Sequence, residues 1–369
     1  EAAADPWAFL ADYPTWIQSQ DALHIGTHPP GLIATHAVLL NLMNRHPVAA
    51  DLLLSTAPPT VTLGFRQVEL ARRRTIPRTD RAEMYLVSLL TLLAAAGSTA
   101  PLYLMARESL PPQLAWVSAA FWPLAPALIM FQPGADTAYP FFSAGALAAA
   151  AWSVRINGAP GFLGWLAIVL GVVSGVVMAF GMMFTLAFLP VGLIVALVVL
   201  SRRSTLWRLR LATIAWIGAG FLVVVGLAWL ITRADPLVVW RWNLHHHARF
   251  YDEYPRSYLS WLIVNPIELA NAAGVPTTVW CLTGAVADHR YVPRAAWCAL
   301  VVVTLANLTG RNMGEVARLW MLFLPPLLTA AGVGLTRLGG GSRTVFATIV
   351  LLGVQVLGLQ CLIQVVYPF

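Results

Sequence analysis

Acidic, imidazole and guanidinium side chains gather in a few polar segments of a chain that is otherwise strongly apolar. The leader, residues 1–30, carries Asp5 and His24 and closes with His28-Pro29-Pro30-Gly31. A carboxylate can take the proton of a reacting hydroxyl, and imidazole or guanidinium groups can stabilise negative charge on a phosphate. Proline fits the first turn of a helix, so Pro29 and Pro30 would fix His28 just outside a following helix. The leader therefore predicts a reactive loop.

Further candidates follow apolar runs later in the chain. Asp136 comes where one apolar run ends and the next begins, and it either caps the following helix or lines a site. Glu315 begins another helix, where the macrodipole favours an acid, and it could pair with Arg311 or Arg318. The alternative is that Arg318 grips a phosphate, because a guanidinium fork binds phosphate bidentately.

The segment 233–256 is rich in basic and aromatic residues. Its candidate substrate-binding or metal-binding side chains are Arg249, Arg256, His245, His246 and His247. Consecutive residues of a helix or strand cannot all face one ion, so metal binding by His245 and His247 is the weaker interpretation. Contact with solvent or with a phosphate is favoured for these histidines.

The composition makes the bilayer the solvent of this chain. Of its 369 residues 59% are hydrophobic and 11% are charged, whereas about a quarter of a soluble domain is charged. About ten apolar runs could span, since roughly 20 residues cross a bilayer. These runs are 84–106, 114–131, 141–154, 162–177, 183–200, 211–231, 261–286, 295–308, 319–335 and 344–366. The predicted fold is an all-α polytopic membrane protein with external interfacial helices.

Charge distribution predicts the topology. Residues 31–44 form a short helix that is expected to lie in the interface, so residues 1–81 are a first external loop and 82–369 one multi-span domain. Alternate crossings then place most arginines of the short loops on one side, as the positive-inside rule expects. The arginine-rich stretch 66–81 breaks that rule. The net charge of +7 has no aromatic stacking platform beside it, which excludes nucleic acid as the predicted partner.

Together these motifs resemble the GT-C superfamily of polytopic glycosyltransferases. The resemblance rests on the leader ending in His28-Pro29-Pro30-Gly31, the short interfacial helix, Asp136 and the late Gly314-Glu315-x-x-Arg318-x-Trp320. The nearest members are of the protein O-mannosyltransferase and lipid A aminoarabinose transferase type, similar to glycosyltransferase family 39. The resemblance implies an inverting hexosyl- or pentosyltransferase that uses a polyprenyl-phosphate sugar and a lipid, glycan or protein acceptor.

The resemblance also implies roles for single residues. The catalytic base of the family would fall just upstream of Glu1, after a first span that we expect to precede this sequence, and Asp5 is the nearest candidate within it. Asp136 would match the second acidic residue of the active site. His28, His24, Arg249, Arg256, Glu315 and Arg318 would bind the donor phosphate or substrate. Some members use a divalent metal such as Mg²⁺ or Mn²⁺ and others do not.

Two other classes of membrane protein compete with this interpretation. A transporter or lipid flippase would suit Asn265 and Glu268, polar residues inside an apolar run that either pair structurally or line a pathway. A membrane scaffold would need no shared polar site. Because most polar candidates are predicted at one external face, the sequence favours a transferase in a bacterial plasma membrane with its site facing the periplasm or exterior.

Overall fold

The computed structural model describes residues 5–20, 25–337 and 339–363. Within these residues the regular structure is helical and no strand occurs, which confirms the predicted all-α class. The helices are α1 (Pro6–Trp16), α2 (Gly31–Arg45), α3 (Pro47–Ser55), α4 (Pro59–Arg72), α5 (Arg78–Gly97), α6 (Thr99–Arg107), α7 (Pro112–Ala120), α8 (Pro126–Met130), α9 (Tyr139–Ile156), α10 (Phe162–Met182), α11 (Phe188–Leu200), α12 (Trp207–Thr232), α13 (Pro236–Glu253), α14 (Tyr258–Ala273), α15 (Val275–Ala287), α16 (Arg294–Leu308), α17 (Val316–Leu319), α18 (Leu324–Leu328), α19 (Ala331–Arg337) and α20 (Ser342–Leu362). Short 3-10 turns occupy Ile17–Ser19, Trp122–Leu124, Ala135–Thr137 and Met321–Phe323.

Each of the ten apolar runs is mainly helical, but only half of them form long helices. Among the described residues five segments are long and apolar enough to cross a membrane, namely Arg78–Arg107, Pro112–Met130, Phe162–Met182, Trp207–Thr232 and Ser342–Leu362. The remaining runs form shorter or broken helices; one run divides into α14 and α15 at Gly274, whose φ is 93°. These are the helices of a membrane-embedded protein, and ten crossings stay a prediction.

Helix α9 forms the centre of the bundle. It packs against α6, α10 and α11, and small residues along it let these neighbours approach closely. Buried serines join the helices by hydrogen bonds: Ser143 Oγ donates to the carbonyl of Leu322 at 2.7 Å, and Ser153 Oγ donates to that of Ala167 at 2.6 Å. Because no water reaches such positions in a bilayer, each buried hydroxyl needs a protein acceptor.

Helix α12 packs on α10 through glycines and leaves its other sides exposed. A Cβ at Gly175 would overlap the carbonyl oxygen of Ile217, and a Cβ at Gly220 would overlap that of Val172. Only 6% of the most apolar window of α12 is buried inside the protein, so most of this helix faces lipid. The two helices therefore associate by close backbone packing.

One end of the bundle carries a charged cluster around Glu108, which follows α6 and is 8% exposed. Its carboxylate pairs with Arg202 and, at 3.0 Å, with Arg294, while Arg155 donates to its backbone carbonyl. These three arginines come from loops that the charge pattern placed on one side. Helix α9 runs from Asp136 to this cluster, and its 18 residues span about 27 Å, so Asp136 lies at the opposite end.

The stretch 49–81 is helical and strongly bent. Helices α3 and α4 meet at an angle of 114°, and together they are long and apolar enough to cross a membrane. Counted as one span, they would raise the number of candidate spans among the described residues from five to six. Helix α2 begins at Gly31 as expected and packs on α3 and α5. The segment 31–81 is thus mainly helical, with the predicted helix at Gly31 and an additional bent pair, and its external position stays a prediction.

Close packing of α10 and α12 gives a matched test on one helix. We expect Gly220→Ala to destabilise the protein by about 1–3 kcal/mol, because the new methyl group forces the two backbones apart. Gly226→Ala is the control, since a Cβ there meets nothing within 4 Å. Unfolding midpoints of the two variants in the same detergent measure the difference. Equal midpoints would contradict glycine-mediated packing.

Candidate functional site

Four of the predicted site residues meet at the end of the bundle opposite Glu108. Arg318 Nε lies 3.6 Å from Asp136 Oδ2, and Arg318 Nη2 donates to Glu315 Oε2 at 2.6 Å. Arg256 Nη2 lies 3.8 Å from Glu315 Oε1. Asp136, Arg256, Glu315 and Arg318 are hereafter the site cluster. The two carboxylates and two guanidinium groups of the cluster sum to zero net charge. The side chains of Asp136 and Arg318 are only 22% and 23% exposed.

The loop before α9 positions Asp136. Thr137 Oγ1 donates to the carbonyl of Gly134 at 2.7 Å and accepts from Gln132 Nε2 at 2.8 Å, and Thr91 of α5 donates to Gln132 Oε1 at 3.3 Å. The N-cap of α9 is Ala138, whose side chain makes no capping hydrogen bond. The N-cap position is therefore not that of Asp136, whose carboxylate lies beside Arg318; both interpretations of Asp136 stay predictions.

Two polar residues of α14 hold the loop that carries Glu315 and Arg318. Asn265 Nδ2 donates to the carbonyl of Asn312 at 2.7 Å and to Asn307 Oδ1 at 2.9 Å, while Asn265 Oδ1 accepts from the Gly314 amide at 3.1 Å. Glu268 Oε1 accepts from the amide of Ala317 at 3.1 Å. Of the two interpretations of this pair, the structure shows the structural one.

Gly314 allows Arg256 to reach the same loop. Its φ is 95°, and a Cβ at this position would overlap Arg256 Nη1 and press on Trp261. Arg256 Nη1 donates to the carbonyl of Met313, and its guanidinium carbon lies 5.7 Å from the centre of the Trp261 ring. A glycine with a left-handed backbone is thus required for this close approach.

The leader loop is anchored to α1, to α13 and to the end of α10. The carbonyl of His28 accepts from Tyr13 Oη and from Asn243 Nδ2, each at 3.0 Å. Asn243 Nδ2 also donates to the carbonyl of Gly26 at 2.8 Å, and the amide of Gly31 donates to the carbonyl of Met183 at 2.8 Å. Asn243 is fully buried, so its amide is a fixed anchor for the His28 segment.

His247 connects the leader with the site loop. Its Nε2 lies 3.1 Å from the carbonyl oxygen of Arg311, and its ring interacts electrostatically with His28. Burial lowers the pKa of His247, the hydrogen bond to the Arg311 carbonyl opposes this effect, and the positive charge of Arg311 lowers the pKa further. A neutral imidazole is therefore favoured at neutral pH.

The remaining candidates lie outside the site cluster. Asp5 Oδ1 caps α1 by accepting from the amides of Trp7 and Ala8, and Arg249 pairs with Glu253 at 2.8 Å on the same helix. Asp5 and Arg249 thus have local partners, and their predicted catalytic and binding roles stay predictions. His24 lies outside the described residues.

The histidines of α13 face different partners. His245 packs its ring edge-on to Trp242 at 5.3 Å, His246 Nε2 lies 2.8 Å from the carbonyl oxygen of Ile17, and His247 bonds to Arg311 as described. Across the described part of the chain, no three His, Cys, Asp or Glu side chains converge as a metal site would require. The geometry does not support a metal held by His245 and His247.

Sequence reasoning missed two residues of this region. Tyr139 is buried at the start of α9, within electrostatic range of Asp136 and Arg318. Asn307 Nδ2 donates to the carbonyl of Leu262 at 3.0 Å, so α14 and α16 are joined in both directions. A lone asparagine near the end of the apolar run 295–308 was the available signal, because polar side chains there need a partner.

Comparison with known proteins adds no assignment to this geometry. The chain matches no family model, and no curated protein resembles its sequence significantly.

The amide of Asn265 should control the order of the site loop. We expect Asn265→Leu to raise amide hydrogen exchange in residues 312–318 at least about tenfold, because three hydrogen bonds of about 1 kcal/mol each are lost. Asn271→Leu on the same helix is the control, since within the described part of the chain the Asn271 side chain donates to the carbonyl of Ile267 and to no residue of the loop 312–318. Unchanged exchange in Asn265→Leu would contradict the anchoring role.

Acidification should weaken the contact between the leader and the site loop. Since the folded state disfavours charged His247, the unfolded chain binds more protons, and stability is lost as the pH falls below about 6.5. We expect His247→Gln to flatten this decline in the unfolding midpoint, whereas His245→Gln should leave it unchanged. A decline that is identical in both variants would exclude His247 as its source.

Proposed function

We propose that this chain is a membrane glycosyltransferase that moves a sugar from a polyprenyl-phosphate donor to an acceptor hydroxyl at the external face. The observation that carries the proposal is Arg318, held between Asp136 and Glu315 at one end of an apolar bundle. Arg318 Nε makes no hydrogen bond among the described residues, and a phosphate that replaced Asp136 or Glu315 beside the guanidinium would gain its donors.

The chemistry requires both signs of charge at one place. The acceptor oxygen attacks the anomeric carbon, the bond from that carbon to the phosphate oxygen breaks, and the phosphate leaves with the electron pair. The hydroxyl proton passes to a carboxylate. Arg318 and Arg256 would stabilise the departing phosphate, and Asp136 would accept the proton or orient the group that does. A direct displacement of this kind inverts the anomeric carbon.

The position of the leader supports the same assignment. His28 follows a segment anchored by Asn243 and Tyr13, and His247 links it to the loop of Arg318. A donor bound at the site cluster would therefore lie beside an imidazole-bearing loop at the bundle end. Its polyprenyl chain would follow the apolar helix surfaces into the lipid, which suits a substrate that is part of the membrane.

The two polar residues that suggested a transporter have structural partners. Asn265 and Glu268 were the polar residues expected to line a pathway, and both bond to the loop 312–317. Transport sites are typically built near the middle of the membrane from broken helices. The contacts of these two residues instead belong to the end that carries the site cluster.

Activity assays on the full-length protein test the proposal. Membranes containing the protein are incubated with polyprenyl-phosphate hexoses and pentoses that carry a labelled sugar, and transfer to lipid, glycan or protein acceptors is measured. We expect Asp136→Asn and Arg318→Gln each to lower transfer by about 100-fold or more, because each removes a charge needed in the transition state. His28→Ala should also lower it.

A matched control separates loss of chemistry from loss of folding. Arg343→Gln removes an exposed arginine at the start of α20, outside the site cluster and the predicted binding residues, so it should transfer sugar at the parent rate. Unfolding midpoints of all variants are recorded in parallel. Parent-level transfer by Asp136→Asn and Arg318→Gln would refute the assignment, as would movement of an unmodified substrate across the membrane without any chemical product.

A further inference from the structure

An open groove lined by arginines lies at the end of α4. It has a volume of about 390 Å³, and its lining residues are Arg66, Glu69, Leu70, Arg73, Arg74 and Thr75. These arginines belong to the basic stretch that breaks the positive-inside rule, and the site cluster makes no use of them. An external accumulation of positive charge needs a physical reason of its own.

The acids near the groove are already occupied. Glu69 Oε1 accepts from Arg81 at 2.5 Å and from the amide of Ile76 at 2.7 Å, and Asp51 pairs with Arg78 at 2.6 Å. Within the described residues, no acidic side chain forms an ion pair with Arg66, Arg73 or Arg74. The groove therefore carries about three uncompensated positive charges.

A left-handed backbone at Arg73 ends α4, so Arg66 lies on the helix while Arg73 and Arg74 lie beyond its end. Arg73 has a φ of 51° and follows the last residue of α4, a position that helices normally give to glycine or asparagine. An arginine there accepts a backbone conformation that costs about 1 kcal/mol or more relative to glycine. Its side chain, rather than its backbone, is the reason to have arginine at this place.

Apolar side chains surround the arginines and face outward. Leu63 is 55% exposed and Leu70 is 78% exposed on α4, and Val48 and Leu52 of α3 are 80% and 70% exposed. Leucine in water gains nothing from such exposure, whereas the acyl region just below the headgroups would cover it. Arginine stems can extend from that depth and bring their charge to the phosphate level.

The bent pair lies on the same end of the bundle as the site cluster. Thr91 of α5 contacts the loop before Asp136. From Thr91 back to its first residue, Arg78, the helix extends for another 13 residues, about 20 Å. The Glu108 cluster lies at the far end of the segment Arg78–Arg107. The pair α3–α4 therefore sits beyond the site, where the headgroups of that leaflet would lie.

We propose that the groove of Arg66, Arg73 and Arg74 binds the phosphate headgroup of an anionic phospholipid, with Leu63 and Leu70 in contact with its acyl chains. Guanidinium forks suit the oxygens of a phosphodiester geometrically, and three positive charges attract its negative charge together with those of neighbouring anionic lipids. The exposed leucines favour a lipid over free phosphate, which has no apolar part, and over an acidic protein segment. This inference does not depend on the sugar-transfer proposal.

Binding of a lipid probe by the full-length protein tests the proposal. The protein is purified in a neutral detergent and titrated with phosphatidylglycerol carrying a fluorescent acyl chain. We expect saturable binding that unlabelled phosphatidylglycerol competes away and that phosphatidylcholine and inorganic phosphate do not. Equal competition by inorganic phosphate would reduce the groove to an anion site, and stronger competition by polyglutamate would assign it to an acidic protein partner; either result overturns the proposal.

A triple variant removes the charge of the groove without changing its backbone. It combines Arg66→Gln, Arg73→Gln and Arg74→Gln. We expect phosphatidylglycerol to bind roughly tenfold or more weakly, because each arginine near an anionic surface contributes about a fivefold change in affinity. These side chains are exposed, so the unfolding midpoint should stay that of the parent.

A control triple variant removes the same charge at the other end of the bundle. It combines Arg203→Gln, Arg208→Gln and Arg343→Gln, all exposed in the structure. It should bind the probe as the parent does, whereas Leu63→Ser with Leu70→Ser should weaken binding. Equal weakening by the two arginine triples would show that net charge alone retains the lipid and would overturn a built site.

Discussion

The pairing of charge inside a low-dielectric bundle is the constraint on which this structure depends. A lone guanidinium or carboxylate is costly at membrane depth, so each needs a partner of opposite sign or a hydrogen-bond donor such as the Ala317 amide that bonds to Glu268. Glu108 meets Arg202 and Arg294 at one end, and Arg318 meets Asp136 and Glu315 at the other. Between the two ends, buried hydroxyl groups such as those of Ser143 and Ser153 donate to carbonyls of neighbouring helices.

The two charged ends differ in what surrounds them. Around Glu108 the arginines outnumber the acid, and the carboxylate is nearly buried, so the cluster locks loops together. In the site cluster the charges balance, and Glu315 keeps half of its side chain exposed. Fixed dipoles and charges that remain accessible are what a reaction with a charged leaving group needs, because they stabilise it with little reorganisation.

Hydropathy predicted the helices well because composition alone decides whether a segment can be buried in lipid. The start of α2 at Gly31, the all-α class and the arginine-bearing end all followed from the sequence. Breaks such as the one at Gly274 did not, since a run of apolar residues looks the same whether it is straight or bent. Length and composition support five crossing segments among the described residues, or six with the bent pair, and the ten predicted crossings stay a prediction.

The site was only partly predictable. Asp136, Glu315 and Arg318 were identified by residue type and by their place at the ends of apolar runs. Their mutual contacts depend on tertiary packing, which leaves no local pattern in the sequence. The sequence therefore could not show that Asp136 lies beside Arg318. The anchoring role of Asn265 was one of two open interpretations, because a polar residue in an apolar helix signals a partner without naming it.

Helix α12 has a consequence for how deep the leader sits. Its 26 residues include the apolar run 211–231, which measures about 32 Å and matches a hydrocarbon layer of about 30 Å, so a thinner bilayer makes the helix lean. Because Gly220 locks it to α10, any slant is shared by α10, whose end carries the Met183 carbonyl that holds Gly31. The thickness of the host membrane thereby sets the height of His28 relative to the lipid surface.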